Sequence, residues 1–148
     1  MKRLTARTEE DTLRLGARLA ALLPEGGFVA LCGDLGAGKT ALVRGMGASL
    51  GTDTVASPTF TIVQEHDTTP PLLHFDAYRL ADADELYAIG FADYLDQNAL
   101  IVMEWAELVS EALPKERLDI QLSGSGDEPR TLTLTPHGEK YAAILERL

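Results

Sequence analysis

One segment limits the fold more than any other. Gly33-Asp34-Leu35-Gly36-Ala37-Gly38-Lys39-Thr40 follows the apolar run Phe28-Val29-Ala30-Leu31-Cys32 and opens a stretch of helical character that stops at Gly51. A short continuous apolar run reads as a central strand buried on both faces. The segment itself fits G-x-x-x-x-G-K-[ST] at each fixed position, and the required context, strand before and helix after, is present. The helix expected from about Lys39 to Leu50 starts with unpaired N–H donors and a partial positive charge. That tip suits a ligand of dense negative charge.

A triphosphate meets the description, and residues 33–40 read as a phosphate-cradling loop for Mg-ATP. The expected cofactor-binding set in the loop is Leu35, Gly36, Ala37, Gly38, Lys39 and Thr40. Loop amides would wrap the phosphates, the Lys39 ammonium would reach the β- and γ-phosphates, and the Thr40 hydroxyl would ligate Mg²⁺. The plain alternative is an ordinary glycine-rich turn. A second acid for the metal is expected at the end of a neighbouring buried strand. Ala99-Leu100-Ile101-Val102-Met103-Glu104 supplies it, with Glu104 emerging at the carboxyl edge where α/β ligand sites lie. Many such loops use Asp there, so Glu is a departure. A solvated strand-end acid is the other reading.

Other nucleotide classes find less support. No Asp has Gly three residues later, and the single Asn, Asn98, is followed by Ala99-Leu100, so neither D-x-x-G nor N-K-x-D for guanine is present. Residues 53–116 hold one arginine, Arg79, which weakens a small-metabolite kinase with an arginine-bearing lid but leaves it as the alternative function. The formal net charge of −10, from 23 acids against 13 bases, makes the chain a poor direct nucleic-acid binder. It suits a basic protein partner or a small ligand in one local positive site. One cysteine, Cys32, excludes an intrachain disulfide framework, and its place in the apolar run suggests a small buried hydrophobe. No apolar run approaches the span of a bilayer, and no apolar block follows the basic start, so no membrane association is expected and the cytoplasm is the expected location.

The 148 residues are expected to form one domain, 1–148. Thr8-Glu9-Glu10-Asp11 resembles a capping box, and Leu15, Leu19, Leu22 and Leu23 continue at helical spacing before Pro24. Phe60 to Gln64 and Leu72 to Phe75 read as strands, and Asp82-Ala83-Asp84-Glu85-Leu86 as a helix start. Leu118, Ile120 and Leu122 alternate with polar residues, as do Leu132 and Leu134, across a Gly- and Ser-rich turn that marks a hairpin. Gly138 to Leu148 reads as a terminal helix.

Several short motifs then occur in a fixed order: Ser57-Pro58-Thr59-Phe60-Thr61, His74-Phe75-Asp76-Ala77-Tyr78-Arg79-Leu80, Asp84-Glu85-Leu86 followed by Gly90, and Glu104-Trp105. With the loop, this series closely resembles the TsaE (YjeE) family of bacterial ATPases, which act in making threonylcarbamoyladenosine in tRNA. The motifs cover roughly residues 8–106. The resemblance implies an α/β fold, a P-loop NTPase three-layer sandwich with a mostly parallel central sheet and a C-terminal β-hairpin. It implies TsaD and TsaB, the threonylcarbamoyl-transfer proteins, as partners, with tRNA contacted only indirectly. ATP and Mg²⁺ are the implied cofactors.

Carried onto this chain, Lys39 and Thr40 are the phosphate and Mg²⁺ residues, and Glu104 is the second metal-side acid. Ser57 to Thr61, with Thr61 in the binding set, resembles a loop that senses the γ-phosphate; the bland rival is a simple turn. Asp76 would orient or activate the attacking water, against the rival that it only pairs with Arg79. Glu9 and Arg130 are placed near the adenine, although no adenine-reading motif is visible. Tyr78 and Trp105 read as packing residues and His74 as structural. Slow hydrolysis by the isolated chain, stimulated by partners, is the expected behaviour.

Overall fold

The computed structural model describes residues 1–34, 36–58 and 61–148. In chain order the elements are β1 (Lys2–Ala6), α1 (Glu9–Ala21), β2 (Gly27–Gly33), α2 (Lys39–Leu50), β3 (Val63–His66) and β4 (Leu72–Asp76). There follow α3 (Ala83–Ala88), α4 (Phe91–Leu95), β5 (Leu100–Glu104), a 3-10 segment (Ala106–Ala112), β6 (Arg117–Ser123), β7 (Arg130–His137) and α5 (Glu139–Arg147). The seven strands form one sheet in the order β1-β7-β6-β2-β5-β4-β3. Its centre, β6-β2-β5-β4, is parallel, while β1, β7 and β3 join antiparallel at the two sides.

Alternation along the central strands sends successive side chains to opposite faces, and two separate cores result. Val29 and Leu31 of β2, Val102 of β5 and Ile120 of β6 pack with Leu19 of α1, Leu42 and Met46 of α2, and Ile144 of α5. Phe28, Ala30, Ile101 and Met103 point the other way, onto Leu86 of α3, Phe91 of α4 and Val109 of the 3-10 segment. Phe91 meets the rings of Phe28 and Phe75 edge-on, with centroids 6.2 and 5.6 Å apart. Burying each such large side chain contributes about 1.5–3 kcal/mol. Helices therefore cover both faces of the sheet, giving three layers.

The helix that begins at the glycine loop is held from outside. α1 crosses α2 so closely that a Cβ at Gly45 would stand 2.1 Å from the Leu13 carbonyl oxygen. At the start of α1 the capping box is formed: Asp11 N–H donates to Thr8 Oγ1 at 3.2 Å, and Thr8 N–H donates to Asp11 Oδ2 at 3.3 Å. Asp82 caps α3 by accepting from Glu85 N–H at 3.1 Å.

Several expectations shift. The strand expected over Phe60 to Gln64 runs instead from Val63 to His66. Ile62 takes a left-handed φ of 70° and its N–H closes onto the Pro58 carbonyl, so the extended strand cannot begin before it. Phe60 lies outside the described residues. Strand β1, the short α4 and the 3-10 segment are additions to the sequence reading. Cys32 is half-buried rather than buried, beside a groove between the 3-10 segment and strands β6 and β7. That groove has a volume of about 390 Å³.

Candidate functional site

The carboxyl ends of β2, β5 and β4 lie side by side. Register pairs Leu31 with Glu104 and Glu104 with Asp76, so the loop after β2 stands next to two acids on adjacent strands. This is the edge at which open α/β sheets bind ligands. Gly38 is the N-cap of α2 with φ 101°, a left-handed conformation that a side-chain-bearing residue adopts only with strain. The turn it permits brings Lys39 and Thr40 into the first turn of α2, beside the helix's free N–H groups.

Lys39 is almost fully buried, at 5% exposure. Its ammonium donates to the Gly33 carbonyl and, at 3.1 Å, to the Asp34 carbonyl. It also lies over the Trp105 ring, 4.0 Å from the centroid. Burial pulls this ammonium below the ordinary lysine value, and the carboxylates of Glu104, Glu107, Asp76 and Asp34 oppose that pull. Trp105 reaches this position through a left-handed backbone, φ 58° and ψ 34°, directly after Glu104.

Glu104 accepts the Thr40 hydroxyl at 3.2 and 3.3 Å to its two oxygens. Its Oε2 also lies 2.5 Å from His74 Nε2. Asp76, 2% exposed, accepts the Tyr78 N–H on Oδ1 at 2.9 Å. A cavity of about 240 Å³ gathers Lys39, Thr40, Ser57, Asp76, Glu104 and Trp105. The arrangement offers amide donors, one ammonium and a hydroxyl–carboxylate pair around one space, which suits a polyanion held together with a hard cation.

A second cavity, of about 320 Å³, shares Gly36, Gly38 and Ala41 with the first and opens on the other side of the loop. Glu9 and Arg130 both border it, together with Thr8, Thr12 and the hairpin residues Gly126 to Glu128. Arg130 Nη2 donates to the Gly36 carbonyl at 3.3 Å and to the Gly126 carbonyl at 3.1 Å, tying hairpin to loop. Glu9 pairs with Arg44 at 3.5 Å on the surface. Thr61 is exposed and borders neither cavity; its N–H donates to the Pro58 carbonyl at 3.1 Å. Leu35 lies outside the described residues. Ala37 is buried under the loop.

The structure thus brings Lys39, Thr40, Asp76 and Glu104 together and sets Glu9 and Arg130 at the adjoining cavity. Two residues read from the sequence as packing and structural, Trp105 and His74, also touch the site. Trp105 contacts the Lys39 ammonium, and His74 contacts Glu104. For His74 a signal existed: in Leu72-Leu73-His74-Phe75-Asp76, the period of two places His74 on the same face as Asp76, in a strand otherwise apolar.

A glycine loop joining the central parallel strand to a helix, with Lys and Thr at the helix start and an acid ending the next strand, defines a P-loop NTPase fold. The family model described as "Threonylcarbamoyl adenosine biosynthesis protein TsaE" matches residues 6–132. The chain belongs to the TsaE family. It is 41% identical to the tRNA threonylcarbamoyladenosine biosynthesis protein TsaE of Bacillus subtilis, over 100% of this chain and 95% of that protein. Its identity to the Streptomyces coelicolor protein of the same name is 43%, over 86% of this chain and 92% of that one. The crystal structure of Bacillus subtilis YdiB superposes with a TM-score of 0.80 at 36% identity, covering 99% of this chain and 93% of that one. The family places the chain in the making of threonylcarbamoyladenosine in tRNA. Among the described residues no helix is long and apolar enough to cross a membrane.

Proposed function

We propose that this chain is a Mg²⁺-dependent ATPase that serves the threonylcarbamoyl-transfer proteins TsaD and TsaB in the cytoplasm, with tRNA held by those partners. The observation that supports this most is the meeting of Lys39, Thr40 and Glu104 at one cavity on the N-terminal tip of α2. In this reading the loop amides and the Lys39 ammonium take the phosphates. The second cavity, bordered by Glu9 and Arg130, takes the nucleoside end. Leu35 and Thr61 complete the binding set in this reading.

The donor set fits Mg²⁺. The cation prefers oxygen ligands and is usually held by one or two carboxylates shared with substrate phosphates. The Thr40 hydroxyl and the Glu104 carboxylate are oxygen donors already within 3.3 Å of each other. When bound, Mg²⁺ would neutralise charge on the phosphates. Asp76 borders the same cavity, beside Glu104, and orients the attacking water. Phosphoryl transfer depends chiefly on such positioning and charge neutralisation.

Arg79, the one arginine of the central segment, is exposed and borders neither cavity. Lys39 is the basic residue that borders the phosphate cavity, and Arg130 stands at the adjoining one. A missing arginine can leave an NTPase slower by about 10³–10⁵. The isolated chain should turn over ATP very slowly and be stimulated by TsaD with TsaB. Turnover measured with and without the two proteins tests this, and equal rates would overturn the accessory role.

A further inference from the structure

We propose that His74 is a positioning residue for Glu104, holding its carboxylate in the orientation that meets Thr40 and the metal. The inference rests on the reading of Glu104 as the metal-side acid and extends it to the layer behind.

Three observations carry it. His74 lies on β4, one strand over from Glu104 and two residues before Asp76, which is Glu104's register partner. The diagonal puts both side chains on the same face of the sheet. Second, His74 Nε2 is 2.5 Å from Glu104 Oε2, the oxygen that also lies 3.2 Å from the Thr40 hydroxyl. Nε2–H donates, so the carboxylate is gripped from the sheet side by an imidazole and from the helix side by a hydroxyl. Third, His74 is 0% exposed, and among the described residues its Nδ1 has no hydrogen-bond partner.

That last point separates positioning from packing. A buried polar atom without a partner is destabilising. Leucine, as at the two preceding positions of β4, would fill the strand without that penalty. The imidazole's one hydrogen bond goes to Glu104, so its chemistry is spent on orienting that acid. Metal-binding carboxylates are generally fixed by such outer partners. Glu is longer than the Asp common at this place and has one more torsion to restrain.

The test uses the full chain with ADP bound, titrated with Mg²⁺ and followed by the emission of Trp105. In parallel, calorimetry measures ADP affinity in EDTA. His74→Leu should raise the half-saturating Mg²⁺ concentration by about 10–100-fold and leave the EDTA affinity unchanged. His74→Gln, whose amide reaches where Nε2 stood, should recover most of the loss. His74→Asn, which reaches only where Nδ1 stood, should not. Unchanged half-saturation in His74→Leu overturns the proposal. So does equal impairment of the Gln and Asn variants, which decides the matter even if His74→Leu fails to fold. An EDTA affinity that falls as far as the Mg²⁺ affinity marks collapse of the site and also overturns it. Glu104→Gln, run alongside, separates the two levels. If it leaves half-saturation unchanged, the metal reading itself is wrong. If it raises half-saturation while His74→Leu does not, only the positioning role is lost.

Discussion

The ammonium of Lys39 rests 4.0 Å from the centre of the Trp105 ring. A lysine cation over an indole face is attracted by the ring's negative quadrupole, by about 2 kcal/mol when desolvated. The same ammonium is bonded to the Gly33 and Asp34 carbonyls. Phosphates entering the loop would compete for all of these contacts. Trp105 is the one tryptophan of the chain, so its emission reports on this site alone. We expect the emission to change on adding Mg-ADP. Lys39→Ala should abolish that response and weaken nucleotide binding by at least about 2 kcal/mol, as for a lost charge-assisted hydrogen bond. Calorimetry and fluorescence titration check both, and a Lys39→Ala chain that binds normally would refute the role of the ammonium.

How far the sequence reached follows from the range of each signal. The loop and its helix are encoded in consecutive residues, from Gly33 to Gly51, so they were legible without knowing the fold. Glu104 was legible because a buried strand that ends in an acid is visible as five apolar residues and a charge. The pairing of His74 with Glu104 was not, because it joins residues 30 apart in sequence on neighbouring strands whose order the sequence does not state. Trp105 packs against Tyr78, as its sequence reading has it; its further contact with Lys39 is not legible, because the left-handed backbone that turns the ring under the ammonium has no glycine or Asn to announce it. Strand β1 was missed because five residues carrying two cations show too short an alternation to register. Its hydrogen-bonding partner, β7, begins 124 residues after the end of β1.

The closeness of α1 and α2 gives a stability prediction. The Gly45→Ala Cβ would meet the Leu13 carbonyl oxygen at 2.1 Å, and backbone cannot yield as a side-chain end can. The helices would have to separate. Overpacking of this kind lowers stability by about 3 kcal/mol, which for a chain of this size is about 6–12 °C in Tm. Thermal unfolding measures it. Because α2 carries Lys39 and Thr40 at its start, nucleotide affinity should fall as well.

Arg130 makes a prediction of the opposite kind, affecting binding with little effect on stability. It ties the hairpin turn to the glycine loop through the Gly126 and Gly36 carbonyls, on the border of the second cavity. Arg130→Ala removes no core contact. It should weaken nucleotide binding by about 1 kcal/mol, the net value of an ordinary hydrogen bond, and leave the melting temperature nearly unchanged. Calorimetric titration beside thermal unfolding separates the two effects; a large fall in Tm with unaltered affinity would assign Arg130 to the hairpin instead.

His66 sets the acid side of stability. It is 7% exposed, with Nε2 3.2 Å from Gln64 Oε1 and Nδ1 3.4 Å from Thr54 Oγ1. Burial, and then the neighbouring His74, push its imidazole below the ordinary 6.5. In the window just below 6.5 the unfolded chain takes up a proton that the folded chain resists. The stabilising contribution is therefore present above 6.5 and is lost as pH falls through the lowered folded value. Denaturant midpoints taken from pH 7.5 down to pH 5 should decline, and His66→Gln should flatten the decline relative to the parent chain. Carboxylates elsewhere titrate in both proteins and cancel in the difference. Parallel curves for the two would show that His66 takes up its proton as readily folded as unfolded.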